Sequence, residues 1–357
     1  MSIENMRQKL HHPGRWAFTL RRLAVAGGAI AVTAMAGTAV VALRPAAPAK
    51  STPPAASAAT PPAAPPAMTL AAQLDAREAA AGQTGAPLLW RLRGAHATIY
   101  LFGSVHVLRA NMGWMDPRIY SAFDSASQVW FEVPDPLATR HVKPVKQNGF
   151  ADRPVLLTGL TDKEKSELAE VLRPFDLSPD DVPRLKPEAT AGLVNSMAIT
   201  AMGYAFSRGA DMSLMQIAKT AKKPIHGFET VDEQAGFLND LSTLPGGDGT
   251  AALKRALAVY AGQLSPDGAD ISSIAACWRT GDQACITHQV LSMRQTSPRS
   301  YDILLRRRNT RWVPRIEAMT KGTDTVFITV GAAHLVGPDG LVSQLRAAGY
   351  SVERIDP

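Results

Sequence analysis

The stretch Thr325–Leu341, TVFITVGAAHLVGPDGL, decides how this chain folds. Thr325–Val330 is a run of β-branched and aromatic residues, which predicts a buried strand. Gly331-Ala332-Ala333 then clear the space around one imidazole, His334. Gly337-Pro338-Asp339-Gly340 turns the chain toward a helix. A core strand that ends by presenting a histidine among small residues marks either a tolerated loop residue or half of a site.

A second stretch weighs in favour of a site. Residues 98–106 read TIYLFGSVH, and residues 325–334 read TVFITVGAAH. Each is a β-rich run closed by Gly-x-x-His, so His106 and His334 stand in the same local context. This suggests two related strand–loop units whose histidines converge. A glycine three residues before each histidine removes a side chain where a ligand or a second backbone must come close. Two other predicted strands end on carboxylates: VWFEV places Glu132 and IHGFE places Glu229. If all four strands share one sheet, two imidazoles and two carboxylates collect along one edge, where open α/β sheets bind ligands. That set suits a divalent metal ion, with N and O donors at roughly 2.0–2.2 Å. Each residue also has an ordinary structural reading. A strand-end histidine is commonly just hydrogen-bonded, and Glu132 and Glu229 can cap nearby helices. Asp211 is a weaker candidate for the cluster, and His226 alternates with Glu229, so it should face elsewhere. The chain has no H-E-x-x-H, G-x-S-x-G, Walker A or C-x-x-C-H motif.

Around these strands the pattern alternates between types. Pro87–Gly103 reads as a strand pair turning at Gly94-Ala95. Arg118–Ser127 is helical, and residues 134–153 show no clear pattern. Thr161 and Glu164 form a capping box for the next helix, and Pro187 opens another through Met202. Met212–Lys222 is a third helix, and Thr230 with Glu233 caps a fourth. Residues 245–320 are mostly helical, and Gly349 closes a last helix before a strand at Ser351–Ile355. The expected fold is α/β: a central mixed β-sheet flanked by helices, containing the two strand–GxxH units and a helical insertion at about 155–260.

The N-terminus reads differently. Residues 1–22 are basic and polar, and Leu23–Leu43 follows without a charge. This is an export signal, either cleaved or kept as an anchor, since 21 residues of helix reach roughly 30 Å. Residues 1–44 are therefore a signal peptide or signal anchor. Residues 45–68 are a Pro/Ala-rich disordered linker, and residues 69–357 are the folded domain. The expected location is periplasmic, with residues 23–43 as the contact with the inner membrane if they are retained. The net charge of +7 resides largely in the leader, because the residues beyond 44 hold 32 of the 38 basic and 30 of the 31 acidic side chains. That balance gives no case for a nucleic-acid partner. In an exported chain, the two cysteines in CWRTGDQAC, Cys277 and Cys285, suggest a disulfide across the turn at Gly281-Asp282; two buried free thiols are the alternative.

The chain resembles the TraB/GumN family, which includes the Tiki-type membrane-anchored proteases. The matching pieces are GSVH at 103–106, WFEV at 130–133, GADMSLMQIAKTAKKPIHGFET at 209–230, RRNTRW at 307–312 and TVGAAHLVGPDGLVSQLRAAGYSVERI at 329–355. The likeness covers residues 86–355, nearly the whole folded region. It matches both G-x-x-H motifs, Glu132, Glu229, and an R-N-x-x-W element at Arg308, Asn309 and Trp312. It implies a metal-dependent hydrolase, peptidase-like by the Tiki branch, with a peptide or protein substrate. His106, His334, Glu132 and Glu229 would be the ligands of a Mn, Co or Zn ion. Catalysis would fall to a glutamate as base and to Arg308 or Asn309 as stabiliser of the developing oxyanion. The alternative is a non-catalytic envelope binding protein holding a metal complex, haem or a glycan in polysaccharide assembly.

Overall fold

The computed structural model describes residues 85–357, apart from residue 111 and segments 135–149, 174–175, 243–248 and 262–270. The leader at 1–44 and the linker at 45–68 lie outside the described residues, as does most of the patternless stretch 134–153. Among the described residues no helix is long and apolar enough to cross a membrane.

The strands are β1 (Leu89–Arg93), β2 (Thr98–Ser104), β3 (Leu108–Arg109), β4 (Gln128–Phe131), β5 (Tyr204–Ala205), β6 (Ile225–Gly227), β7 (Thr325–Gly331) and β8 (Val352–Arg354). Six of them form one mixed sheet in the order β6-β4-β7-β2-β1-β8, and β3 pairs with β5 apart from it. β7 lies between β2 and β4, parallel to both, and β4 is parallel to β6. β1 runs antiparallel to β2 and β8. This placement accounts for the apolar run that opens β7: a parallel strand covered on both faces has no solvent side to make polar. Val326, Phe327, Ile328, Thr329 and Val330 are all buried.

Eleven α-helical segments are described: α1 (Pro117–Ser125), α2 (Asp162–Leu172), α3 (Pro187–Ala201), α4 (Ala210–Thr220), α5 (Val231–Ser242), α6 (Gly249–Tyr260), α7 (Ile271–Arg279), α8 (Gln283–Thr296), α9 (Pro298–Tyr301), α10 (Arg307–Met319) and α11 (Leu341–Ala347). Their starts follow local chemistry. Asp116 accepts hydrogen bonds from the amides of Arg118 and Ile119 at the head of α1. Thr161 and Glu164 close the expected capping box on α2, and each such cap contributes about 1 kcal/mol. On one face of the sheet, Phe102 stacks on Trp114 and Phe327 meets Phe123 edge-on at 5.3 Å. On the other, Phe228 stacks on Trp312 of α10 at 5.1 Å.

The interval 155–260 is not one helical insertion. Leu168, Val171, Val194, Leu253 and Leu257 knit α2, α3 and α6 into a second small core. The segment between α3 and α6 returns to the main body, with α4 packing its Leu214 and Met215 into the principal core and β6 joining the sheet edge. Cys277 and Cys285 are disulfide-bonded, as the spacing suggested, with Cα atoms 6.0 Å apart. The bridge joins the end of α7 to the start of α8 and is compatible with an exported protein.

Candidate functional site

The four parallel strands β6, β4, β7 and β2 all finish at the same edge. Just beyond their ends stand Glu229, Glu132, His334 and His106 in that spatial order. The Glu229 amide donates to the Glu132 carbonyl at 2.9 Å, which carries the β4–β6 pairing up to the two glutamates. Gly103 and Gly331 serve different close approaches. A Cβ on Gly103 would lie 3.1 Å from Ala332, so the glycine lets the two histidine loops pack against each other. A Cβ on Gly331 would lie 3.3 Å from Glu132 Oε1, 3.6 Å from His334 Cδ2 and 3.9 Å from His106 Nε2. The missing side chain therefore leaves a small space lined by two potential donors, Glu132 Oε1 and His106 Nε2, and by the Cδ2 edge of His334.

Arg308 sits at the centre. It projects from α10, just after one turn of π-helix at Asp302–Arg306. Its Nε and Nη2 bind both oxygens of Glu229 at 2.8 Å. Nη2 also donates to Glu132 Oε2 at 2.6 Å, and Nη1 to His334 Nε2 at 3.1 Å. Its guanidinium lies over the Trp312 ring, which in turn touches the His334 ring at 4.6 Å. Arg308, Glu132, Glu229 and His334 are all buried. A buried arginine is tolerable only with such paired carboxylates.

Each histidine is held by its Nδ1 edge. Asn309 donates from Nδ2 to the carbonyls of His334 and Asp339, which leaves Oδ1 facing His334 Nδ1 at 2.6 Å. An amide oxygen can only accept, so Nδ1 of His334 carries the proton and Nε2 holds the lone pair that accepts from Arg308 Nη1. His106 Nδ1 faces Asp211 Oδ2 at 2.6 Å. Asp211 opens α4, where the Ala210 amide donates to the Val105 carbonyl and fixes that helix against the first histidine loop.

These partners drive the charges apart. For His106, burial would lower the pKa, but the charge and hydrogen bond of Asp211 outweigh it and raise the imidazole to about 9. For His334, burial dominates and, with Arg308 beside it, lowers the pKa to about 3, so the ring is neutral at physiological pH. Burial alone would raise Glu132, yet Arg308 and both histidines hold it well below the usual carboxylate range. Burial pushes Glu229 up, only partly offset by Arg308 and reinforced by Glu132.

The structure thus brings together all six residues singled out in the sequence, together with Asp211. It gives Asn309 the task of orienting His334 and gives Arg308 both glutamates. His226 lies apart, exposed and stacked on Trp130. Sequence reasoning did not give Trp312 its stacking role, although its spacing from Arg308 (i, i+4) places both on one helix face.

The donor types fit a divalent ion in part. A histidine–carboxylate metal site needs imidazole nitrogens anchored through Nδ1 with a free lone pair on the other nitrogen; His334 is neutral already, whereas His106 has to give up a proton to a bound ion. Donors on one ion at these bond lengths lie about 3.0–3.4 Å apart, whereas His334 Nε2 and Glu132 Oε1 are 3.8 Å apart. Side-chain rotation of about half an ångström closes that difference. Among the described residues no three His, Cys, Asp or Glu side chains already stand in ligating geometry. Glu229 fits less well than Glu132, because both its oxygens are engaged by Arg308.

Fold and site define an α/β protein with a buried histidine–carboxylate–arginine cluster at the C-terminal edge of its parallel strands. The chain belongs to the TraB/PrgY/gumN family, which it matches over residues 88–354. It is 22% identical over 275 residues to uncharacterized protein YbaP of Escherichia coli (strain K12), covering 72% of this chain and 97% of that relative. No solved structure matches the chain.

Proposed function

We propose that this protein is an exported hydrolase of peptide or related acyl bonds that works with a divalent ion of the Mn, Co or Zn kind. The observation that carries this reading is the convergence of His106 Nε2, Glu132 Oε1 and the Cδ2 edge of the His334 ring on the space left by Gly331. A divalent ion there would acidify a water and polarise a carbonyl. His106 and His334 would hold it with Glu132. Asp211 and Asn309 keep the two rings from turning. Glu229, whose carboxyl is pushed up by burial, would be the group that takes and returns a proton, once one of its oxygens leaves Arg308. Arg308 fixes both glutamates and puts a positive charge beside any oxyanion that develops.

The alternative, a non-catalytic envelope binding protein, draws on one observation: Arg308 already engages both carboxylates. One experiment separates the two. The full chain is stripped with chelator, supplemented with Mn, Co or Zn, and offered a quenched peptide library beside His106→Ala and His334→Ala. Metal-dependent cleavage lost in both folded variants supports the hydrolase. Metal binding through both histidines without turnover of any peptide or ester favours the binding protein. No metal binding by the wild type removes the site.

A further inference from the structure

Buried polar side chains without a partner are rare, and each calls for a cause. Among the described residues, Ser104 Oγ, Thr329 Oγ1 and Trp312 Nε1 are buried and meet no hydrogen-bond partner. Four other side chains with such an atom, Arg109, Tyr204, Asp302 and Arg354, have ring or ionic partners of their own. Trp312 likewise has ring contacts with Phe228 and Arg308, so two hydroxyls remain, both on strands that build the site: Ser104 ends β2 and Thr329 lies near the end of β7.

Ser104 is the one beside the reacting space. In the parallel β2–β7 ladder it is in register with Gly331, and Phe102 is in register with Thr329. Paired residues of neighbouring strands point to the same face about 5 Å apart. Ser104 therefore borders the space that Gly331 leaves open, where His106 Nε2 and Glu132 Oε1 also arrive. It is 1% exposed, so bulk water is not its partner. Thr329 is equally buried on the same face, but lies two residues deeper, about 6.6 Å along the strand from Gly331.

We propose that Ser104 is a substrate-contacting residue, its hydroxyl donating to the oxygen of the acyl group that approaches the ion held at the Gly331 space. The proposal rests on the hydrolase reading for its substrate class. The hydroxyl is left unpaired by the protein because its partner arrives with the substrate, and it donates to the oxygen that gains charge as the carbonyl is attacked. Thr329, buried in the same way but away from the reacting atoms, is a matched control.

The test compares Ser104→Ala and Thr329→Val in the full chain by thermal unfolding, by cleavage of the peptide library, and by titration with inorganic phosphate as a tetrahedral oxyanion. Removing an unpaired buried hydroxyl should leave Tm unchanged or raise it by about 2–4 °C in both variants. Ser104→Ala should lose about 10²-fold in kcat/KM and about tenfold in phosphate affinity. Thr329→Val should keep both. A lower Tm in Ser104→Ala, equal behaviour of the two variants, or unchanged turnover and phosphate binding in Ser104→Ala overturns the proposal. If the wild type cleaves nothing but phosphate binding still weakens in Ser104→Ala, the hydrolase reading fails and the oxygen contact stands. If the wild type neither cleaves nor holds phosphate, the proposal falls as well.

Discussion

Replacing Arg308 with methionine removes the cation that, among the described residues, is bonded to both buried glutamates. The side chain is 1% exposed and bonds Glu132 and Glu229 at 2.6–2.8 Å. Its loss leaves two buried carboxylates with only Arg311, 3.8 Å from Glu229, and the His106 imidazolium as positive charges nearby, and deleting one member of a buried pair costs about 3–5 kcal/mol. In a domain of this size that is a Tm lower by roughly 6–20 °C. The penalty has a definite pH dependence. Glu132 is held below its unfolded value by Arg308, so its contribution is full above about pH 4.5 and is lost as pH falls. Urea unfolding at pH 7 should show the full deficit, and at pH 3 the gap should narrow by about 1–2 kcal/mol. Under the proposed function, a divalent ion at a hundredfold excess over its Kd should restore about 2.7 kcal/mol. Arg308→Lys should fall between, because a point charge cannot bind Glu229 at two atoms. A methionine variant within about 1 kcal/mol of wild type at pH 7, or one with the same deficit at pH 3, refutes this account of the cluster.

Other variants probe the surroundings. Gly331→Ala should fold normally, since φ is −52°, but its methyl enters the space lined by Glu132 and His106; divalent-ion affinity measured by calorimetry should drop at least tenfold, and unchanged binding counts against the space. Asn309→Ala frees His334 Nδ1, so ion affinity should fall about 10–100-fold, and nitrogen NMR of the ring should show mixed tautomers instead of one. Replacing both Cys277 and Cys285 with serine opens a loop with a sequence separation of 8, which chain entropy values at about 2–3 kcal/mol; equal stability of the variant and the oxidised protein removes the bridge from the stability account.

How much of this was legible in the sequence depended on distance along the chain. β7, β2 and their histidine loops were legible because strand period, small residues and turn chemistry are local. The placement of Glu132 and Glu229 at strand ends was local too. The division of residues 155–260 was not, since Leu168, Val171, Val194, Leu253 and Leu257 become one small core only through contacts between α2, α3 and α6. Nor was the partnership of His106 with Asp211, 105 residues later, or that of Trp278, whose Nε1 donates to the Gly103 carbonyl from 175 residues away.

The same limit explains why two matching motifs yield unlike histidines. Each Gly-x-x-His stretch fixes where an imidazole stands, and nothing in it sets that imidazole's charge. The charge comes from the helix that meets Nδ1. α4 brings a carboxylate to His106 and favours the proton. At His334 burial excludes a second proton, with the guanidinium of α10 beside the ring and only an amide, no carboxylate, at Nδ1 to offset it. Exchanging only those partners, Asp211→Asn with Asn309→Asp, should therefore draw the two ring pKa values toward each other while both strands and both loops stay in place.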